Sequence, residues 1–318
     1  MLHLRVVCPA AKADQVLDSL RDEPGAVHLV HLPGASLRPE GDLIEADVAR
    51  ESTERVLEHL TDLGVNRSGG VSLESVDTML SDTADAAERA VPGEGADAII
   101  WDELVARTGE ESQLNGIFVA FLTIACLLAT AGVITDSVIT IVGAMIVGPE
   151  FGPLSALAVA LLGKRWALAR QAGVALGVGF LVAMLITAAL TFVAQTVGLF
   201  EPTELSHLQR LAFIYQVGPF SVVIALLAGA AGMLALTSSK SSALVGVFVS
   251  VTTVPAAGLA VAAAIAGHWI QCGGSLLQLV VNLIGMTVAG TVVLLIRRGP
   301  TLLVSDARRG VGSTPGRG

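Results

Sequence analysis

The residues best placed for chemistry are six in a row: Gly148-Pro149-Glu150-Phe151-Gly152-Pro153. They interrupt an otherwise apolar run, residues 142–163, of a length that crosses a bilayer. Two prolines four residues apart each remove a backbone donor and crowd the preceding turn. The flanking glycines lower the resistance to unwinding. A carboxylate between the prolines is costly in hydrocarbon unless it is hydrated or partnered. Freed carbonyls at that depth persist only inside protein or along a wet cavity. Discontinuous helices of this kind form the binding sites of many secondary transporters. Glu150 is therefore expected to bind a cation or proton, with Gly148, Pro149, Gly152 and Pro153 shaping the break around it. The competing reading is a protonated carboxyl bonded to exposed backbone at a purely structural kink.

A second polar interruption follows about 100 residues later, Ser250-Val251-Thr252-Thr253-Val254-Pro255. Ser250, Thr252 and Thr253 can offer hydroxyls to a site facing Glu150, with Pro255 marking the helix break. Against this, hydroxyls in membrane helices commonly bond back to their own backbone or join neighbouring helices. Asn282 is a further candidate ligand, and Thr287, Tyr215 and Gln216 are secondary ones.

These residues need a membrane scaffold, and the composition supplies one. The 318 residues are 53% hydrophobic and only 15% charged, against about 25% charged in soluble domains. Residues 1–113 hold 23 of the 28 acidic side chains and 9 of the 19 basic ones. An acidic soluble piece thus precedes an apolar one. No basic stripe exists to neutralise phosphates, which argues against nucleic acid as a partner.

Six stretches are long enough to span, near 114–134, 138–163, 167–197, 217–237, 242–266 and 274–297. Lys164, Arg165, Arg170, Lys240, Arg297, Arg298, Arg308 and Arg309 fall on one side of this arrangement. By the positive-inside rule that side is the cytoplasm, and both termini share it. This predicts a multi-pass protein of the cytoplasmic (inner) membrane. The start, MLHLRVVCPA, lacks the basic and long apolar regions of a signal peptide.

The spans also repeat. Leu157-Ala158-Val159-Ala160 with Trp166 resembles Leu259-Ala260-Val261-Ala262 with Trp269, and Pro153 matches Pro255. Leu127–Gly132 resembles Leu226–Gly232. Three spans separate the copies, so the halves are expected in opposite orientations, as an inverted 3+3 repeat with broken second and fifth helices. Small-residue spacings such as Gly173-x-x-x-Gly177 favour helix association and a homo-oligomer.

Residues 1–76 read as a cytoplasmic α+β ferredoxin-like domain, βαββαβ. Leu2, Leu4 and Val6 alternate as in a half-buried strand. Val16, Leu17 and Leu20 share a helical face, followed by a strand over 26–32 and a turn-rich stretch over 33–41. A strand over 43–49, a helix capped by Ser52 or Thr53 and a final strand over 70–76 complete the set. His3, His28 and His31 are spaced poorly for a metal, since residues three apart on a strand face opposite ways. Cys8, Cys126 and Cys272 form neither a disulfide framework nor a metal-ligand spacing. Residues 77–113 make an acidic connector whose AIIWDELVA segment either lies at the membrane interface or packs on the soluble domain. Residues 114–298 are the membrane domain, and 299–318 are expected to be a disordered basic tail.

The stretch GAMIVGPEFGPLSALAVAL resembles the signature region of bacterial hydrophobic proteins grouped as domain-of-unknown-function family 389. The resemblance runs over residues 1 to about 298, with PEFGP its most distinctive part. It implies a short soluble N-terminal region and a roughly six-span domain with a Gly/Pro-rich second span. Many members carry an uncharged residue where this chain has Glu150. It implies no activity.

Together these readings predict a secondary transporter or channel-like permease for a small solute or ion, without a cofactor or resident metal. The cytoplasmic domain would regulate or oligomerise it. The alternative is a membrane-anchored small-ligand sensor or scaffold without transport. No nucleophile–base pair or phosphate loop points to an enzyme.

Overall fold

Alternating apolar residues at the N-terminus build the first sheet of the computed structural model, which describes residues 1–76, 78–91, 101–199, 212–238 and 253–309. The chain forms two compact units, one chiefly Met1–Glu103, the other chiefly Leu104 onward.

In the first unit β1 (Leu2–Cys8), α1 (Ala10–Arg21), β2 (Ala26–Leu37), β3 (Glu40–Val48), α2 (Arg50–Asp62), the short α3 (Val65–Ser68) and β4 (Gly70–Ser75) follow one another. The antiparallel sheet has the order β2-β3-β1-β4. Leu4, Val6, Ile44, Ala46 and Val48 point to one face and pack against Val16, Leu20, Val56 and Leu60 of the helices. This is period two on the strands meeting a helical stripe. A further helix, α4 (Asp82–Ala90), is capped by Ser81, whose Oγ accepts from the Ala84 N–H, and buries Ala84 and Ala87.

Three local expectations are corrected. β2 continues through Pro33-Gly34 to Leu37, because a bulge between Leu32 and Ser36 lets it stay paired with β3. Neither Ser52 nor Thr53 caps α2, which starts at Arg50. Ser52 instead donates to Glu23 Oε1 at 2.7 Å, and Thr53 donates back to the Ala49 carbonyl at 3.0 Å. The unit also extends past residue 76, since His28 of β2 bonds Ser81 and Thr83, and the N-terminal ammonium bonds Glu88.

The second unit is helical: α5 (Trp101–Glu111), α6 (Gly116–Ile134), α7 (Val138–Val147), α8 (Phe151–Gly163), α9 (Trp166–Thr196), α10 (Ala212–Tyr215), α11 (Pro219–Leu236), α12 (Thr253–Ile265) and α13 (Trp269–Arg309). Four helices are long and apolar enough to cross a membrane: α6, α9, α11 and residues Trp269–Arg297 of α13. The bent pair α7–α8, with a 52° angle at its break, makes a fifth if taken as one span. The expected fifth span is described only from Thr253, as the 13-residue α12. Helix α13 runs on to Arg309, beyond the point where a disordered tail was expected to begin.

Burial sorts these helices into two kinds. Every residue of α12 from Thr253 to Ala263 is buried, as are Gly152–Ala156 and Ala158–Ala160 of α8. A helix apolar all round belongs in an interior. Helices α9, α11 and α13 instead expose Leu181, Leu185, Phe192, Leu227, Ile284 and Ile296, as lipid-facing helices do. The two short helices thus form the centre. Each packs against both long helices α9 and α13.

Candidate functional site at the helix break

The helix that begins at Val138 stops at Val147 and resumes at Phe151, leaving Gly148, Pro149 and Glu150 between. Pro149 removes a donor and crowds the turn before it. Pro153 does not break anything. It is the third residue of α8, in a first turn whose N–H groups have no intrahelical partner. The break is therefore three residues wide rather than six. Pro255 lies within α12 and is buried. Any interruption before α12, together with Ser250 and Thr252, lies outside the described residues.

Glu150 stands just ahead of α8 and is fully buried. Thr253 of α12, also fully buried, donates from Oγ1 to Glu150 Oε1 at 2.6 Å. The carboxylate therefore stands at the starting turn of α8 and touches α12. Unpaired N–H groups give such ends positive character, which favours a negative charge there. The second oxygen, Oε2, has no hydrogen-bond partner. It is folded back over Gly148, where a Cβ would collide with it and would stand 2.8 Å from the Val254 side chain. Gly148 is thus needed for space: its backbone, at φ −64°, suits any residue.

Gly152 plays a comparable part at the start of α8. A Cβ there would lie 2.7 Å from Glu111 Cβ and 2.9 Å from its carbonyl oxygen, so the end of α5 sits against this turn. Gln171 of α9 fastens the same end by donating to the Gly109 carbonyl at 2.9 Å and to Ser112 Oγ at 3.2 Å. On α6, Cys126 is fully buried. Thr130 on the same helix bonds both the Cys126 and Gly258 carbonyls, locking α6 to α12.

Of the expected residues, the structure thus joins Glu150 and Thr253, with Gly148 and Gly152 making room. Asn282 is fully buried on α13, where it accepts from Gln278 Nε2 at 3.0 Å. Thr287 bonds back to the Leu283 carbonyl. Sequence reasoning missed Ser275 and Gln278, which share the Asn282 face by their i, i+3, i+7 spacing in an apolar helix. That spacing was the available signal.

In the first unit the histidines find carboxylates. His3 and His28 lie 3.0 and 2.7 Å from the two oxygens of Asp47, and His31 lies 2.8 Å from Asp42. Strand alternation fails for His28 because it sits in a register shift between Val27 and Val30, with φ at +50°. Among the described residues no group of three or more His, Cys, Asp or Glu is placed to hold a metal.

Comparison with known proteins reaches this site. The family model described as "Domain of unknown function (DUF389)" matches residues 145–288, a stretch that contains both Glu150 and Thr253. The resemblance to family 389 therefore holds over the helix break and the helices that surround it. An uncharacterized protein of Methanocaldococcus jannaschii is 26% identical over 200 residues, which cover 63% of this chain and 60% of that protein. The match thus spans less than two thirds of the relative's length. No solved structure matches the chain.

Proposed function

We propose that this chain is a secondary transporter or channel-like permease for a small solute or ion, with its site at the α7–α8 break. The observation that carries the reading is the fully buried Glu150, held through one oxygen by Thr253 and unpartnered through the other. An intramembrane carboxylate is expensive and marks a transport or proton pathway by default. Its spare oxygen is a ready acceptor for a proton or a cation. A mere anchor requires neither a 52° break nor a buried acid within it.

The architecture supporting this reading is six spans arranged as an inverted 3+3 repeat. Supporting it, α8 and α12 each carry a buried proline, Pro153 or Pro255, and each precedes a long helix opened by tryptophan, Trp166 or Trp269. Both short helices also pack crosswise on the long helix of the other half. In this proposal the termini are cytoplasmic, the protein is a homo-oligomer of the inner membrane, and the N-terminal unit regulates or assembles it.

Ion and proton flux into proteoliposomes, under imposed pH and cation gradients, tests the proposal with wild type and Glu150→Gln. The amide keeps the size and an acceptor for Thr253 but cannot ionise. Flux is expected in wild type and at least about tenfold less in the variant, the scale on which losing a charge-dependent contact of about 1.4 kcal/mol or more is felt. Equal flux in both would remove Glu150 from the mechanism. Absence of flux in wild type would shift attention to the first unit, where Gln15, Asp22, Glu23, His59 and Asp62 line a groove between α1 and α2.

A further inference from the structure

We infer that the second unit holds a separate site for a monovalent alkali cation on the buried face of α13, built around Ser275 and Gln278. Ser275 is fully buried and Gln278 nearly so, at 2% exposure, yet Ser275 Oγ and Gln278 Oε1 have no hydrogen-bond partner. Being three residues apart, their side chains neighbour one another on the helix. Two unpartnered polar atoms side by side in an apolar helix are unlike the usual fate of such groups. Nearby Thr287 and Thr291 bond back to their own helix, at 2.8 Å each.

The chemistry of the free atoms selects the ligand. The Gln278 amide group donates to Asn282 Oδ1 at 3.0 Å, which leaves its carbonyl oxygen as a free acceptor. The hydroxyl of Ser275 adds a second oxygen. Helix α10 meets α13 at the same level: a Cβ on Gly274 would lie 2.5 Å from the Tyr215 carbonyl oxygen. The Tyr215 carbonyl is thus a neutral oxygen beside the residue that precedes Ser275. The Gln278 carbonyl oxygen can only accept, so it disfavours an anion, and the Ser275 hydroxyl can turn its lone pairs toward a cation. Without a carboxylate in the group, a divalent ion lacks the charge it needs to give up its water. Neutral hydroxyl, amide and peptide oxygens suit a singly charged, hard cation.

The site stands apart from the Glu150 reading, because it rests on different atoms of a different helix. In a transporter it would hold a coupling ion, and in any other protein a structural one.

The test is thermal unfolding of the full chain in detergent, in NaCl or KCl against N-methylglucamine chloride at equal ionic strength. A ligand that binds only the folded state raises the midpoint. One alkali cation is expected to raise that of wild type by about 5 °C. Ser275→Ala and Gln278→Met, which remove one oxygen each at modest change in volume, should lower the rise at least about twofold, whereas Thr291→Val, whose hydroxyl bonds its own helix, should retain it in full. Equilibrium binding of radioactive sodium or rubidium gives a second readout if a variant is poorly stable. A rise that persists undiminished in Ser275→Ala and Gln278→Met, or that Thr291→Val lowers equally, would overturn the assignment. So would the absence of any cation effect on wild type, which would leave water as the occupant.

Discussion

The two units of this protein treat buried polar groups in opposite ways. In the first, the largely buried Glu23 accepts from Ser52 at 2.7 Å and from Arg55 at 3.0 Å. Asp42 takes the Gly34 N–H at 2.9 Å and pairs with His31, while Asp47 serves two histidines. Glu51 Oε2 is the exception there. In the second unit, Glu150 Oε2, Thr187 Oγ1, Ser275 Oγ and Gln278 Oε1 are all left without partners. Leaving a buried acceptor unpaired costs about 1–3 kcal/mol. Folding alone would replace four such atoms by apolar ones. Four such atoms in the second unit are a stability cost that Glu23, Asp42 and Asp47 of the first do not incur.

The sharpest way to break that contrast is to disturb the Glu150 carboxylate without removing it. Gly148→Ala places a methyl where Oε2 now lies and crowds Val254. Either the carboxylate swings away or the break opens. Flux in proteoliposomes should fall at least about tenfold, as for a lost charge-dependent contact, while the detergent-solubilised protein stays folded by circular dichroism. Wild-type flux in Gly148→Ala would mean the position of Oε2 is incidental.

Much of this contrast was legible in the chain. The order of strands and helices in the first unit follows from period-two and helical spacing, and Pro149 beside Gly148 announces the interruption at Glu150. The reach of Thr253 to Glu150 followed from matching two polar interruptions about 100 residues apart. Other features were hidden because they depend on neighbours rather than on residue type. Ser52 has the composition of a cap, but Glu23, 29 residues away, claims its hydroxyl. Pro153 looks like a second breaker, yet position within the first turn makes it harmless. Gly148 reads as a hinge, and only the folded-back carboxylate reveals it as a vacancy for an oxygen. The Ser275-Gln278-Asn282 stripe was present as a spacing but gave no sign of which atoms would remain free.

A smaller effect comes from a well-partnered acid of the first unit. The Gly34 N–H, and then His31, hold the Asp42 carboxyl below its ordinary range. A folded-state value lower than the unfolded one means the carboxylate form is favoured by folding. That stability is present above the unfolded value, about 3.9, and is lost as pH falls through the folded one. Hydrogen exchange in the full chain should therefore show the Gly34 amide losing protection below about pH 4. Asp42→Asn, which keeps an acceptor but cannot titrate, should flatten this response. An unchanged acid-side loss in the variant would assign it to other carboxyls.

The smallest effect is the most diagnostic for the contrast itself. Thr187 of α9 is fully buried, and its hydroxyl has no partner. Thr187→Val exchanges that hydroxyl for a methyl of nearly the same shape. Were the hydroxyl satisfied, as Thr53 is in α2, the change would cost about 1 kcal/mol. For an unpartnered group the loss should be within about 0.5 kcal/mol of zero, or a slight gain. Thermal unfolding in detergent without added alkali cation reads the stability, and proteoliposome flux tests the proposed transport. A stable variant with lowered flux would place Thr187 among the groups kept for a ligand. A stable variant with full flux would make it a tolerated defect, and the functional claim would then rest on Glu150, Ser275 and Gln278. A loss above about 1 kcal/mol would show that the hydroxyl does find a partner, and that the second unit satisfies its interior more fully than its geometry suggests.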